Sequence, residues 1–372
     1  MPTPKRLPPR PALPTPGHRR ATVVGAGSFG TAVAILLARA GLRVALQART
    51  PEQAERMNET RTNEAYLPGV ELPRELRIEP ASAGLQRSEY VFLGVPSRGL
   101  KDVIANLGAA GLQPRAAVVS LAKGLVPPDG IPPTALLRQQ YGRHRVAVLG
   151  GPAHAQEMVA EGAALVAASE DEALAKALAT FFTRAGVVCE ESSDPTGVEL
   201  AGAAKNAAAL AAGATESQGL NAAGAAAGHI FGEVWRFAEG LGAQPESLIG
   251  LAGTGDLVAT ALAPQSRNRR AGELLAQGVP SGEISARVGQ AVESLESVPL
   301  LARALGRAGV EAPVTTALGE LIAGSLPLDD WVALVRAAVP PPARRRPAPG
   351  AFRRLADRIR GWWARLRRRD DS

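Results

Sequence analysis

Cysteine is nearly absent from this chain: Cys189 is the only one in 372 residues. A single thiol excludes an intramolecular disulfide framework and any multi-cysteine metal cluster. Aromatic residues are scarce as well, at 4%, so the core must be filled by small aliphatic side chains packed closely. No apolar run reaches the roughly 18 residues that a membrane-spanning helix requires. The N-terminus is basic and broken by prolines, without the apolar stretch of a signal peptide. A soluble cytoplasmic protein is the resulting expectation. What is present is ordinary globular composition, with 46% hydrophobic and 21% charged residues, which excludes wholesale disorder. The length suits two packed domains of about 100–200 residues each.

The net charge of +7 invites a nucleic-acid reading, so its placement matters. Residues 1–20 carry five Lys/Arg and no acid, and residues 341–372 carry eleven Arg against Asp357, Asp370 and Asp371. Those tails contribute +5 and +8, which leaves −6 for residues 21–340. The basicity belongs to the tails, and a nucleic-acid-binding face on the main body is not supported.

Residues 1–20 contain seven prolines and read as a flexible, extended leader. From Ala21 an alternating pattern begins. Ala21–Val24 is a short apolar strand, Gly25–Gly30 a glycine turn, Thr31–Ala40 a helix closed by Gly41, and Arg43–Gln47 the next strand. Buried strands are also expected at Tyr90–Gly94, Ala116–Ser120 and Val146–Leu149, and Ala164–Ala167 and Gly186–Cys189 extend the sheet. Beyond Gly197 strand signals stop and helical stretches run to Val339. This pattern predicts an α/β chain: an N-terminal Rossmann-like doubly wound sheet over residues 21–197, followed by an all-α region over 198–339. A proline-rich linker (340–350) and a basic amphipathic tail (351–372) complete it. No internal repeat is visible.

The glycine fingerprint, Gly25-Ala26-Gly27-Ser28-Phe29-Gly30, has a physical rationale. Gly25 permits the tight turn, Gly27 lets the backbone approach a pyrophosphate, and Gly30 lets helix and strand pack closely. The helix start then offers free N–H groups and a positive dipole end to phosphates. Alone the pattern also fits an ordinary glycine-rich turn; with a strand before it and a helix after it, it points to dinucleotide binding. An NAD-selective site usually has an acid about 20 residues on, where this chain has Gln47-Ala48-Arg49. Arg49 could pair with a 2′-phosphate, which favours NADP(H) over NAD(H), or be a solvated surface residue.

Further segments decide the family. GVELAGAAKNAAALAAG at Gly197–Gly213, GLAGTGDLVAT at Gly250–Thr260 and SRNRRAG at Ser266–Gly272 join GAGSFGTAVA, NEAYLPG at Asn63–Gly69, SLAKGL at Ser120–Leu125 and GPAHAQE at Gly151–Glu157. Together they closely resemble the NAD(P)-dependent sn-glycerol-3-phosphate dehydrogenases of bacterial type. The resemblance covers about residues 21–325, in the family's motif order, and neither tail. It implies NAD(P)H-dependent reduction of dihydroxyacetone phosphate to sn-glycerol 3-phosphate for phospholipid synthesis, and a homodimer.

The residues can be weighed against that chemistry. Lys205, in an Ala-rich helix, matches the family's catalytic lysine and substrate contact; a desolvated lysine with lowered pKa is a suitable acid/base. A lysine snorkelling to the surface is the bland alternative, and Asn206 adds a polar partner. Lys123, just past a strand, matches a lysine touching substrate and cofactor; otherwise it is an exposed loop lysine. Asp256 matches a residue at the substrate, or caps a helix. Ser266, Arg267 and Asn268 suit a phosphate monoester, or form a solvated basic helix start. By the resemblance Arg267 also approaches the cofactor, as do Ala291 and Glu293. Gly151 and Ala153 match substrate contacts and Ala155 a cofactor contact, all through backbone. Gly25, Gly27, Ser28, Phe29, Gly30 and Arg49 complete the expected cofactor set. No metal site is expected.

The chain departs from the family's habits at Ala153, often Ser or Thr; at Ala223 and His229, where Arg is usual; and over residues 261–264, usually more polar. His154 reads as a packing or loop histidine, and Cys189 as a small hydrophobe buried in an apolar strand. Two rivals remain. A 6-phosphogluconate or β-hydroxyacid-type dehydrogenase shares the layout, but the SRNR run and GLAGTGDL argue against it. A non-catalytic dinucleotide sensor with binding tails requires Lys205 and Asp256 to be incidental. In the tail, Phe352, Leu355, Ile359, Trp362, Trp363 and Leu366 recur at helical spacing among arginines. As a helix, residues 351–369 would span about 28 Å and could lie at the inner membrane surface, dock on the enzyme body, or form a disordered basic segment.

Overall fold

The computed structural model describes residues 19–263 and 266–339. The leader expected at residues 1–18 and the linker and amphipathic tail expected over 340–372 lie outside these described residues. The apolar runs of the first half become the strands β1 (Arg20–Val24), β2 (Arg43–Ala48), β3 (Thr62–Asn63), β4 (Leu67–Glu71), β5 (Arg77–Pro80), β6 (Tyr90–Leu93), β7 (Ala117–Ser120), β8 (Val146–Gly150), β9 (Ala164–Ala168) and β10 (Val188–Ser192). Eight of them form one sheet in the order β10-β9-β8-β7-β6-β1-β2-β5, and β3 and β4 form a separate hairpin. The helices α1 (Ser28–Arg39), α2 (Pro51–Thr60), α3 (Leu100–Leu107), α4 (Pro133–Tyr141), α5 (Ala155–Ala160) and α6 (Glu172–Arg184) fall between strands.

From β1 outward through β6, β7 and β8, and through β2 and β5, every pairing is parallel. The expected Rossmann-like sheet is therefore present, with one departure: β9 pairs antiparallel to β8. A parallel return needs a crossover of a dozen or more residues, usually built around a helix. The connection from Gly150 to Ala164 reaches that length. Its one helix, however, the six-residue α5, is only about 9 Å long, too short to run back along a five-residue strand of about 17 Å, and the chain turns straight back. A full-length crossover through α6 then makes β10 parallel to β9. Gly186 belongs to the turn after α6, with φ of +95°, so β10 starts two residues later than the sequence suggests. It is an edge strand, and Cys189 is half-buried with Val188 half-exposed. That corrects the reading of Cys189 as a buried core residue.

After β10 the chain is helical: α7 (Pro195–Thr215), α8 (Leu220–Gly240), α9 (Pro245–Ile249), α10 (Asp256–Leu262), α11 (Arg267–Ala276), α12 (Ser281–Val288), α13 (Glu293–Arg307), α14 (Pro313–Ala323) and α15 (Leu328–Ala337). Asp194 caps α7 by accepting from the Gly197 N–H. Almost every residue of α7 is buried, as befits a helix apolar on all sides. Its small side chains let neighbours come close. At Gly213 a Cβ would lie 2.0 Å from the Arg269 carbonyl, and at Gly272 a Cβ would lie 2.0 Å from that of Leu210. The α7–α11 contact is thus backbone against backbone, and a methyl group there would cost about 1–3 kcal/mol in overpacking. This contact carries Ser266, Arg267 and Asn268 to the middle of α7, where Lys205 sits. Among the described residues no helix is long and apolar enough to cross a membrane.

Candidate active site

The glycine turn follows β1 directly. Gly25 has φ of +109°, and a Cβ there would lie 2.5 Å from the Gly94 carbonyl; only glycine fits that conformation and approach. A Cβ at Gly30 would strike the Gly25 carbonyl at 2.2 Å, whereas at Gly27 nothing stands within 4 Å. Gly27 is also the N-cap of α1, with no side-chain cap and no acid in the first turn. The helix start is therefore open to an anion. Asn63, in the NEAYLPG segment, is buried and donates to the Ala26 carbonyl (3.0 Å) and to Thr31 Oγ1 (2.8 Å), fixing the turn from behind.

Lys123 follows β7 and Gly151 follows β8, so both lie with the glycine turn at the carboxyl ends of parallel strands, where open α/β sheets bind ligands. Lys123 Nζ donates to the Gly151 carbonyl (3.2 Å) and to Asp256 Oδ2 (3.0 Å), and stands 5.4 Å from the centroid of the Phe29 ring, within cation–π range. Lys205 Nζ lies 3.4 Å from the same Asp256 oxygen. Thr260, one turn along α10, donates to Asp256 Oδ1 at 3.3 Å. Lys205, Asp256 and Thr260 are all buried, so Lys205 is not a snorkelling surface residue. Asp256 opens α10 after a wide π-helical turn over Leu251–Gly255, and its side chain makes no cap.

The electrostatics follow from this geometry. Burial pushes the Lys205 ammonium down to about 8, against the opposing pull of Asp256. Burial alone would raise the Asp256 carboxyl, but Lys123 and Lys205 together hold it below its ordinary value. The arrangement is two cations sharing one carboxylate, with the buried lysine left close to neutrality's threshold.

On the other wall, Ser266 is the N-cap of α11, its Oγ accepting from the Arg269 N–H. Arg267 is exposed and donates to Gln290 Oε1 (3.3 Å) and to the Ala291 carbonyl (3.2 Å). Asn268 donates to Asn206 Oδ1 (2.9 Å) and accepts from the Ser294 N–H. Asn206 in turn donates to the Lys123 carbonyl and to Glu293, each at 3.3 Å. It is the hub that joins α7, α11 and α13, and not, as the sequence suggests, a partner of the Lys205 side chain.

These groups line one cleft of about 190 Å³: Ser28 and Phe29 from the glycine turn, Lys123, Ala153 and Ala155 from the strand ends, Lys205 and Asp256, then Ser266, Arg267, Asn268 and Glu293. Gly25, Gly27 and Gly30 lie in the turn behind Ser28, and Gly151 and Ala291 join through their carbonyls. Arg49 stands apart, exposed just past β2, with its backbone N–H given to Gln53 Oε1. Leu121, His154, Asn206 and Thr260 also line the cleft, although sequence reasoning gave none of them a role at the ligand. Thr260 had a legible signal, since it sits four residues after Asp256 and so shares its helical face.

Comparison with known proteins finds matches across both halves of the chain. Residues 20–175 match the family model for the NAD-dependent glycerol-3-phosphate dehydrogenase N-terminus, and residues 194–333 match that for its C-terminus. The glycerol-3-phosphate dehydrogenase [NAD(P)+] of Methylococcus capsulatus is 37% identical over 84% of this chain and 94% of its own. That of Deinococcus radiodurans is 40% identical over 81% of this chain and 90% of its own. The crystal structure of glycerol-3-phosphate dehydrogenase from Coxiella burnetii superposes with a TM-score of 0.81 at 29% identity, covering 86% of this chain and 99% of that one. The chain therefore belongs to the NAD-dependent glycerol-3-phosphate dehydrogenase family.

Proposed function

We propose that this chain reduces dihydroxyacetone phosphate to sn-glycerol 3-phosphate, reversibly, with NAD(P)H, and so supplies the backbone of glycerophospholipids. The observation that carries this reading is the buried Lys205–Asp256 pair, set in a cleft between the glycine turn and the Ser266-Arg267-Asn268 run. The open Gly27 position and uncapped start of α1 suit a dinucleotide pyrophosphate. When bound, the nicotinamide supplies the hydride that attacks the ketone carbon.

The chain's own residues do the rest. Lys205 gives a proton from Nζ to the ketone oxygen as alkoxide charge develops there, and takes it back in the reverse direction. Asp256 holds the ammonium groups of Lys205 and Lys123 in place, with Thr260 fixing the carboxylate. Arg267 and Asn268, with Ser266, hold the phosphate, the guanidinium through charge-assisted bonds. Gly151, Ala153 and Ala155 contribute backbone contacts, and Glu293 and Ala291 line the cofactor side. Residues 21–197 form the dinucleotide-binding domain and residues 198–339 the substrate domain.

Three finer points belong to the same reading. NADPH is preferred, because no acid stands at the end of β2 and Arg49 does. The working enzyme is a homodimer. The basic amphipathic tail makes peripheral contact with an anionic membrane surface, each arginine near anionic lipid contributing about 1 kcal/mol. Following nicotinamide absorbance while the purified protein meets NADPH and dihydroxyacetone phosphate tests the central reading. Substrate-dependent oxidation of NADPH is expected; its absence would leave a 6-phosphogluconate-type enzyme or a dinucleotide sensor as the better account.

A further inference from the structure

Dihydroxyacetone phosphate presents three polar groups: a phosphate, a ketone oxygen and a terminal hydroxyl. In the proposed site Lys205 and the Ser266-Arg267-Asn268 run serve the first two, and the hydroxyl has no partner. Several polar side chains of the cleft are already bonded within the protein. Both Asn206 N–H groups and its oxygen are engaged by Lys123, Glu293 and Asn268. Asp256 is taken by two ammonium groups and by Thr260, whose hydroxyl proton is spent on that carboxylate. Ser28 opens α1, where the pyrophosphate belongs. His154 differs from all of these. The residue lines the cleft, and its Nε2 is buried and meets no hydrogen-bonding group of the protein.

A buried polar atom without a partner costs about 1–3 kcal/mol, and such an atom in a ligand cleft is best satisfied by the ligand. His154 sits between Ala153 and Ala155 in the short loop from β8 to α5, and its side chain caps nothing. Burial lowers its pKa; Lys123 and Lys205 push the same way, against Glu157 and Asp256. The ring is therefore neutral at pH 7, with one nitrogen a donor and the other an acceptor. The soft Cβ–Cγ torsion lets it turn Nε2 toward a ligand.

From this geometry we infer that His154 is a specificity-determining residue, whose Nε2 hydrogen-bonds the terminal hydroxyl of the three-carbon substrate. The inference rests on the proposed reductase activity and deepens it by naming how the substrate's unphosphorylated end is recognised. A site built around a substrate hydroxyl discriminates strongly against the analogue lacking it, because its own polar group is then left unpaired.

The test compares kcat/KM for dihydroxyacetone phosphate with that for hydroxyacetone phosphate, in which a methyl group replaces CH2OH. It uses wild type, His154→Phe and His154→Gln, with NADPH affinity measured separately by fluorescence. Wild type is expected to favour the hydroxylated substrate by about 100-fold or more. His154→Phe should cut that preference by at least about 10-fold through loss on the hydroxylated substrate alone, with NADPH affinity unchanged. His154→Gln, which keeps a hydrogen-bonding group, should recover part of it. An unchanged preference in both variants, or equal losses on both substrates, would overturn the assignment, as would a change confined to NADPH affinity. Wild type inactive on both substrates would instead overturn the reductase reading itself, and this inference with it.

Discussion

Lys205 is a lysine whose environment sets its chemistry. Buried in α7 and paired with a carboxylate shared with Lys123, it is pushed down to about 8. Reduction needs the protonated form and oxidation the neutral one. The kcat/KM for dihydroxyacetone phosphate should therefore fall as pH rises above about 8, while that for sn-glycerol 3-phosphate oxidation should rise over the same range. Parallel profiles in the two directions would show that Lys205 is not the titrating group. The second residue-scale expectation concerns Arg49. Arg49→Asp should move the ratio of kcat/KM for NADPH to that for NADH toward NADH by about 10-fold or more, because a carboxylate repels the 2′-phosphate and accepts from a 2′-hydroxyl. Its exposure past β2 leaves the side chain free to swing to a ligand. A wild type that already prefers NADH would contradict the argument.

At the scale of elements, α7 is held by buried carboxyl groups as well as by its alanines. Glu199 meets Thr134 at the start of α4, through its backbone N–H (2.8 Å) and its hydroxyl (2.5 Å). Burial pushes the Glu199 carboxyl up to about 8, in spite of those bonds and of Arg138 nearby. The folded chain thus keeps a proton that an unfolded glutamate loses near 4.5. Its contribution to stability is complete below about pH 4.5 and is lost as pH rises through about 8. Glu199→Gln keeps the shape without the ionisation, so the Tm of the variant relative to wild type should climb between about pH 5 and pH 9 in thermal unfolding. A constant difference would show that the carboxyl does not titrate in that window.

Much of the fold was legible at this scale because apolar runs and the glycine turn are local signals. Val23, Phe92, Val119 and Val148 are buried strand residues where the sequence placed them. The hairpin of β3 and β4 and the edge strand β5 were not, being short, polar and proline-bearing, with pairing fixed by distant neighbours. The reversal of β9 depends on the brevity of α5, which periodicity does not measure. In the cleft, Lys205 was legible from its Ala-rich helix, whereas Asp256 and the Ser266-Arg267-Asn268 run were picked out by the family resemblance. Asn206 was misjudged, because a hydrogen-bond hub exists only once α7, α11 and α13 meet, and the unpaired Nε2 of His154 becomes visible only in the folded β8–α5 loop.

At the scale of the molecule, charge is divided: residues 21–340 are net acidic and the tails strongly basic. Sedimentation with anionic liposomes at low salt should carry down the full-length chain and leave behind a chain lacking residues 341–372, since basic segments hold anionic surfaces electrostatically. A full-length chain that stays in the supernatant would refute the membrane contact. In the proposed reaction two halves of the chain meet in one cleft, so that hydride and proton reach the same carbonyl. The most direct measurement is the turnover of Lys205→Ala on dihydroxyacetone phosphate, set beside its affinity for NADPH. Its kcat should be lower by about 100-fold to 10,000-fold with NADPH binding nearly unchanged; a variant that retains most of its turnover would show that Lys205 is not the proton donor.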